Sequence, residues 1–240
     1  QIMTTAEFQP QIKNTALFIE EEILRVLAYF DLFDYPLKAD ELHCYMRHPL
    51  SPDSIACSLN ELVIARKIYF CLGYYLLENN PLLVYRRMQG NQRATGLIHT
   101  ARKIANILHC LPFVRGIGIS GSLSKNFADK RSDIDFFIIT KANRLWIART
   151  CMHLVKKFSF LVGKQHWFCM NYYIDTDALL IPEKNIYTAI EIKSLLPITG
   201  HDIFEEFSAA NEWATNFLPN YMTNKNSSRP KNEPWVKRLI

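Results

Sequence analysis

The residues best suited to chemistry lie in one short run. It reads Gly118-Ile119-Ser120-Gly121-Ser122 and, after ten intervening residues, Asp133-Ile134-Asp135. Gly121 has no side chain to hold a phosphate away from the backbone. Ser122 adds a hydroxyl, and a helical turn expected over Leu123 to Ala128 would present free N–H groups and a positive dipole end. Asp133 and Asp135 are two apart, a spacing that on a strand turns both carboxylates to one face. Two such carboxylates repel each other unless a cation lies between them. A hard ion, Mg2+ or in its stead Mn2+, bridging to triphosphate oxygens supplies that charge. Lys125 and Ser132 flank the run as candidate nucleotide contacts, and Lys130 and Arg131 add positive charge in the loop. A Gly-Ser pair or an Asp-x-Asp triplet is uninformative alone. Together, at this spacing, they point to triphosphate and metal.

These residues need strands and helices to hold them. Phe113 to Ser120 reads as a strand, Ile134 to Thr140 as a second and Trp167 to Ile174 as a third. A helix over Asn91 to Cys110 precedes them, and a long amphipathic helix over Leu145 to Val162 joins the second strand to the third. Helices are expected at Glu183 to Leu195, opened by Pro182, and at Ile203 to Phe217. Alternating helices and strands followed by a helical pair imply an α+β domain with a mixed sheet over 89–222. The tract Thr223 to Pro230 is polar and reads as the start of a flexible C-terminal segment, 223–240.

The Gly-Ser … Asp-x-Asp run resembles the signature of the DNA polymerase beta-like nucleotidyltransferase superfamily. Element order is similar over Gln89 to Ile174, and residue-by-residue similarity is confined to the signature. The resemblance implies a nucleotidyltransferase fold in which Gly121 and Ser122 bind the triphosphate. It implies too that Asp133 and Asp135 are catalytic metal ligands. Many relatives carry a third carboxylate on the next strand, where this chain has Asn171 as its only short polar residue. An Asn orients a ligand but is no base at neutral pH. Asp175 and Asp177 lie just past the expected strand and would replace it only if the strand ended early. Relatives often have Gly near the position of Asn126. Among the seven histidines, only His166 is placed to approach the site.

The first 88 residues read differently. Ala16 to Phe30 carries a helical apolar stripe, Ala39 to Met46 a short helix, and Ser51-Pro52-Asp53 opens a third. Ile68 to Leu77, with Gly73 in its middle, reads as a two-stranded ribbon. Three helices and a hairpin resemble a winged helix-turn-helix, but charge argues against DNA as its partner. From Ala16 to Met88 there are seven Lys and Arg against ten Asp and Glu, a net of −3. From Gln89 onward the count is twenty against twelve, a net of +8. A duplex binder neutralises phosphates with basic residues, and an acidic surface is repelled. A packing or partner-docking role is the better expectation for the first domain, and binding of triphosphate, RNA or another polyanionic acceptor for the second. Phe70, Tyr74, Tyr75 and Tyr85 are read as core rather than as a base-stacking platform.

Composition sets the outer limits. Apolar residues make up 49% of the chain and charged ones 21%, as in ordinary globular proteins. No run approaches the roughly 18 apolar residues of a membrane span. The six cysteines are scattered without a C-x-x-C pair, which implies free, buried thiols in a reducing cytoplasm. The expected activity is transfer of a nucleoside monophosphate from an NTP to an acceptor hydroxyl of a small molecule, RNA or protein. A nucleotide sensor that has lost its chemistry and a DNA-binding regulator are the alternatives.

Overall fold

The computed structural model describes residues 5–161 and 169–221, with side chains 5–14, 158–161, 170 and 171 left undescribed. His166 and the tract from Thr223 onward fall outside the described residues. The chain is mixed α and β, and its described residues divide into two compact units, one built on 5–88 with 215–221 and the other lying within 89–214.

In the first unit, helices α1 (Thr5–Asp31), α2 (Ala39–Cys44) and α3 (Pro52–Ile64) precede strands β1 (Tyr69–Cys71) and β2 (Tyr74–Leu76). Ser51 caps α3, its hydroxyl accepting the Ser54 N–H at 3.2 Å, and Pro52 starts the helix where a missing N–H costs nothing. The hairpin turns through Leu72 and Gly73, both at positive φ (49° and 87°), as a two-residue primed turn requires. Leu37 bridges to Tyr75 and widens the ribbon. Tyr74 is buried with Leu76 and Val84, whereas Phe70 and Tyr85 are exposed. The aromatic group is thus only partly core.

The long helix α4 (Pro81–His109) leads into the second unit. There follow β3 (Val114–Ile119), α5 (Gly121–Ser124), β4 (Asp135–Thr140), α6 (Leu145–Leu161), β5 (Cys169–Asp175), α7 (Ile186–Ser194), β6 (Leu196–Thr199), α8 (His201–Ala210) and α9 (Ala214–Phe217). The sheet order is β5-β4-β3-β6, with β4 and β5 parallel and the other pairs antiparallel. Strand alternation builds two cores. Phe136 and Ile138 pack with Ile117, Ile119 and residues of α4 and α6 on one face. Phe137 and Ile139 pack with Ile174, Phe204 and Phe207 on the other. On that second face β3 presents glycines. A Cβ at Gly116 would stand 2.7 Å from Ile203, and one at Gly118 would stand 3.0 Å from the Phe204 ring, so α8 lies directly on the strand.

Several expectations need correction. The fourth strand, β6, was not anticipated: its four residues, Pro197 among them, lie between the two expected helices and carry no strand periodicity. Proline offers no N–H to a second neighbour, and β6 is indeed an edge strand. Helix α7 starts three residues later than expected, where the Asn185 side chain accepts the Thr188 N–H at 2.9 Å. The helix expected over 203–217 is broken at Asn211, a buried amide that takes the Ile181 N–H and donates to the carbonyls of Leu179 and Phe207, each at 2.8 Å. All six thiols are free, but none is fully buried, and Cys57 and Cys110 are exposed. Free cysteines fall where a helix or strand has an open side as readily as in the core.

Candidate functional site

The β3–α5 junction and the start of β4 lie side by side because β3 and β4 are antiparallel neighbours, with Ile119 opposite Phe136. Ser120 closes the pair, its N–H donating to the Asp135 carbonyl at 2.9 Å. Gly121 follows at φ +68°. Its Cα faces the Asp135 side chain so closely that a Cβ would be 2.8 Å from Oδ2. Only glycine combines that left-handed backbone with that approach. The sequence pair Gly121 and Asp135 is therefore one spatial unit. Gly121→Ala is expected to cost about 1–2 kcal/mol from left-handed strain alone and to push the Asp135 carboxylate aside. A urea midpoint checks it, and wild-type stability would show that the backbone relaxes freely.

Helix α5 is four residues long, so the expected dipole is that of a single turn and weak. It ends in a left-handed residue, Asn126 (φ +58°), after which the Phe127 N–H returns to the Ser122 carbonyl at 3.1 Å. Asn is the non-glycine side chain that tolerates that turn best. The Ser122 side chain is exposed.

Asp133 is not on the strand. β4 begins at Asp135, and Asp133 sits exposed in the preceding loop, so the same-face argument does not hold for the pair. The two are nonetheless close enough to interact. Burial first, then the charges of Asp133 and Glu191, raise the Asp135 carboxyl above its ordinary range. The hydroxyl of Ser132 accepts the Asp129 N–H at 2.7 Å and shapes the loop. Lys125, nearly buried, donates to the Gly121 carbonyl at 3.1 Å and to Glu191 Oε1 at 2.6 Å.

The third-strand candidates separate cleanly. β5 runs parallel to β4 with Cys169 opposite Asp135 and Asp175 opposite Thr140. Asp175 therefore lies at the far end of the strand, where it accepts the N–H groups of Asp177 and Asn143 at 3.1 and 3.4 Å. Neither Asp175 nor Asp177 joins the site. Asn171 falls at the irregularity between Met170 and Tyr172, and its side chain lies outside the described residues.

A cleft of about 510 Å³ opens beside Gly121 and Asp135, over the face of the sheet that carries Phe137. Phe137 and Tyr172 stack at 5.3 Å with their planes 10° apart, and Tyr187 reaches in from α7. Glu183 and Glu191 add two carboxylates to its wall. Sequence reasoning missed these residues. Glu191 is a single acid in an amphipathic helix, 70 residues from Gly121, and no local spacing connects the two.

No protein-family model matches the chain, and neither a curated protein nor a solved structure is similar to it. Function therefore rests on the site.

The donor set can be tested for magnesium on its own terms. Asp133, Asp135 and Glu191 bring three carboxylates into electrostatic contact. Lys125 is paired with one of them. Among the described residues, no three His, Cys, Asp or Glu side chains are grouped to hold a metal unaided. Magnesium is ordinarily held by one or two carboxylates together with substrate phosphates, and this arrangement fits that pattern.

Proposed function

We propose that the second unit is a nucleotidyltransferase domain, moving a nucleoside monophosphate from an NTP to an acceptor hydroxyl. The observation that carries the reading is the packing of Gly121, at φ +68°, against the Asp135 carboxylate beside an open cleft. A glycine held in that conformation brings its backbone N–H, which donates to Glu191 at 3.3 Å, beside the acid that would share the metal. The Gly121 N–H and the Lys125 ammonium receive phosphate oxygens, and Ser122 adds a hydroxyl at the same turn. Asp133 and Asp135 are the residues that would hold magnesium. The ion would supply charge neutralisation for the triphosphate and for the pyrophosphate that leaves.

The chemistry is a displacement at the α-phosphorus. A bond forms from the acceptor oxygen, the bond to the β-phosphate oxygen breaks, and the acceptor proton is released. This chain contributes chiefly position and electrostatics, the two terms that dominate such reactions. The cleft has the volume of a small-molecule site, and its stacked Phe137–Tyr172 pair offers a flat apolar wall for a base or an acceptor ring. The sheet with helices on both faces is read as the nucleotidyltransferase fold. The first unit is read as a winged-helix-like docking module. Its helix α3 carries Asp53 and Glu61 on exposed positions and no Lys or Arg, a poor surface for DNA.

Thermal shift with each of the four NTPs, with and without Mg2+, tests the reading. A ligand present at one hundred times its dissociation constant adds about 2.7 kcal/mol, which is readily visible. The expected result is a magnesium-dependent shift that disappears in an Asp133→Asn/Asp135→Asn double variant. Absence of a shift with every NTP would overturn the proposal.

A further inference from the structure

Glu191 occupies an unusual place. Its Oε2 accepts the Gly121 N–H at 3.3 Å, and its Oε1 accepts the Lys125 ammonium at 2.6 Å. One carboxylate thus bridges a backbone amide and a cation across the mouth of the cleft. The lysine is 11% exposed and the glutamate 27%, so the pair is partly shielded from water. It is held there although Asp135 and Asp133 lie nearby with the same charge.

We propose that Glu191 is an internal stand-in for phosphate, seated on the donors that the triphosphate needs and displaced when nucleotide binds. The inference rests on the nucleotidyltransferase reading. A carboxylate and a phosphate present similar oxygens to N–H donors, and both draw charge-assisted hydrogen bonds from the same groups. The two anions cannot share one amide hydrogen and one ammonium at full strength. Binding is therefore an exchange, in which the nucleotide gains only the difference between its own contacts and those of Glu191. The Glu191 side chain can leave without its helix moving. It faces the open cleft, while α7 remains tied through Ser194, whose hydroxyl is 3.5 Å from that of Ser124. The exchange has a use. Without ligand, Lys125 and the Gly121 amide are kept satisfied, and weaker anions are excluded because none replaces a tethered carboxylate.

The test uses inorganic triphosphate without metal, in EDTA, titrated calorimetrically into the full chain. Wild type, Glu191→Gln and a Glu191→Gln/Lys125→Met double variant are compared. The neutral amide competes less, so Glu191→Gln is expected to bind roughly tenfold tighter, and the double variant to lose that gain. Circular dichroism confirms folding. Should Glu191→Gln fail to fold, Glu191→Asp, too short to span both donors, is expected to shift affinity in the same direction. Equal or weaker triphosphate binding by the folded single variants would overturn the inference. Magnesium–NTP binding to wild type is measured in parallel and separates the two ideas. If wild type binds magnesium–NTP and the variants gain nothing for triphosphate, the exchange is wrong and the transferase reading stands. If the variants gain but no magnesium–NTP binds, the anion seat is real and the transferase reading fails.

Discussion

Under the proposed nucleotidyltransferase function, Asp135→Asn is expected to reduce nucleotidyl transfer at least about a thousandfold, the consequence of losing several kcal/mol of charge stabilisation around the triphosphate. Release of pyrophosphate from magnesium–NTP measures it, with water as the acceptor where no better hydroxyl is supplied. The amide keeps the shape of the carboxylate, and the Asp135 backbone keeps its bond from Ser120. The fold should therefore survive. Electrostatics sharpen the expectation. In the ligand-free protein the Asp135 carboxyl is raised by burial, then by Asp133 and Glu191. A group whose value is raised on folding contributes its full stability below its ordinary range and loses it as pH rises through the shifted one. Above that shifted range the ionised Asp135 is thus a cost to the ligand-free fold. Asp135→Asn should melt at or above the wild-type temperature while losing transfer. Undiminished pyrophosphate release would remove Asp135 from the mechanism. A lowered melting point would instead assign it a structural task.

The second large effect belongs to the first unit. Arg87, on α4, is 1% exposed, and its Nη2 donates to Glu41 Oε1 on α2. The other Glu41 oxygen accepts the Lys38 N–H at 3.0 Å. The guanidinium lies over Tyr35 at 3.6 Å, while Nε and Nη1 have no hydrogen-bond partner in the structure. Burial pushes the arginine down to about 9, and burial first, then the charge of Asp40, pushes the glutamate up to about 7. Glu41→Ala strands a buried cation and is expected to cost about 3 kcal/mol or more. The denaturant midpoint should fall with an unchanged slope. Arg87→Met removes the cation while filling its space, and should cost far less than Glu41→Ala. If the two variants lose equal stability, packing rather than charge is what the arginine contributes.

The sequence alone determined the elements and the signature. Apolar periodicity located β3, β4, α6, the hairpin of the first unit and α4 from Asn91 onward, though not its start at Pro81, because one buried face per element leaves a repeating mark on the chain. Ser51-Pro52 announced the start of α3 through a local capping bond. Gly121 and Asp135 were legible as a pair because two adjacent antiparallel strands bring residues near in sequence into contact. Tertiary structure decided everything that depends on distant neighbours. β6 exists because β3 has a free edge, which four residues with a proline do not reveal. The break at Asn211 follows from a loop thirty residues away that needs its amide. Asp175 left the site because parallel pairing of β5 with β4 places it at the opposite end. Glu191 entered it because α7 folds across the mouth of the cleft, joining Gly121 and Lys125 to an acid that no spacing along the chain connects to them. Local chemistry is written in short-range order, whereas charge balance at a site is set by whatever the fold brings near.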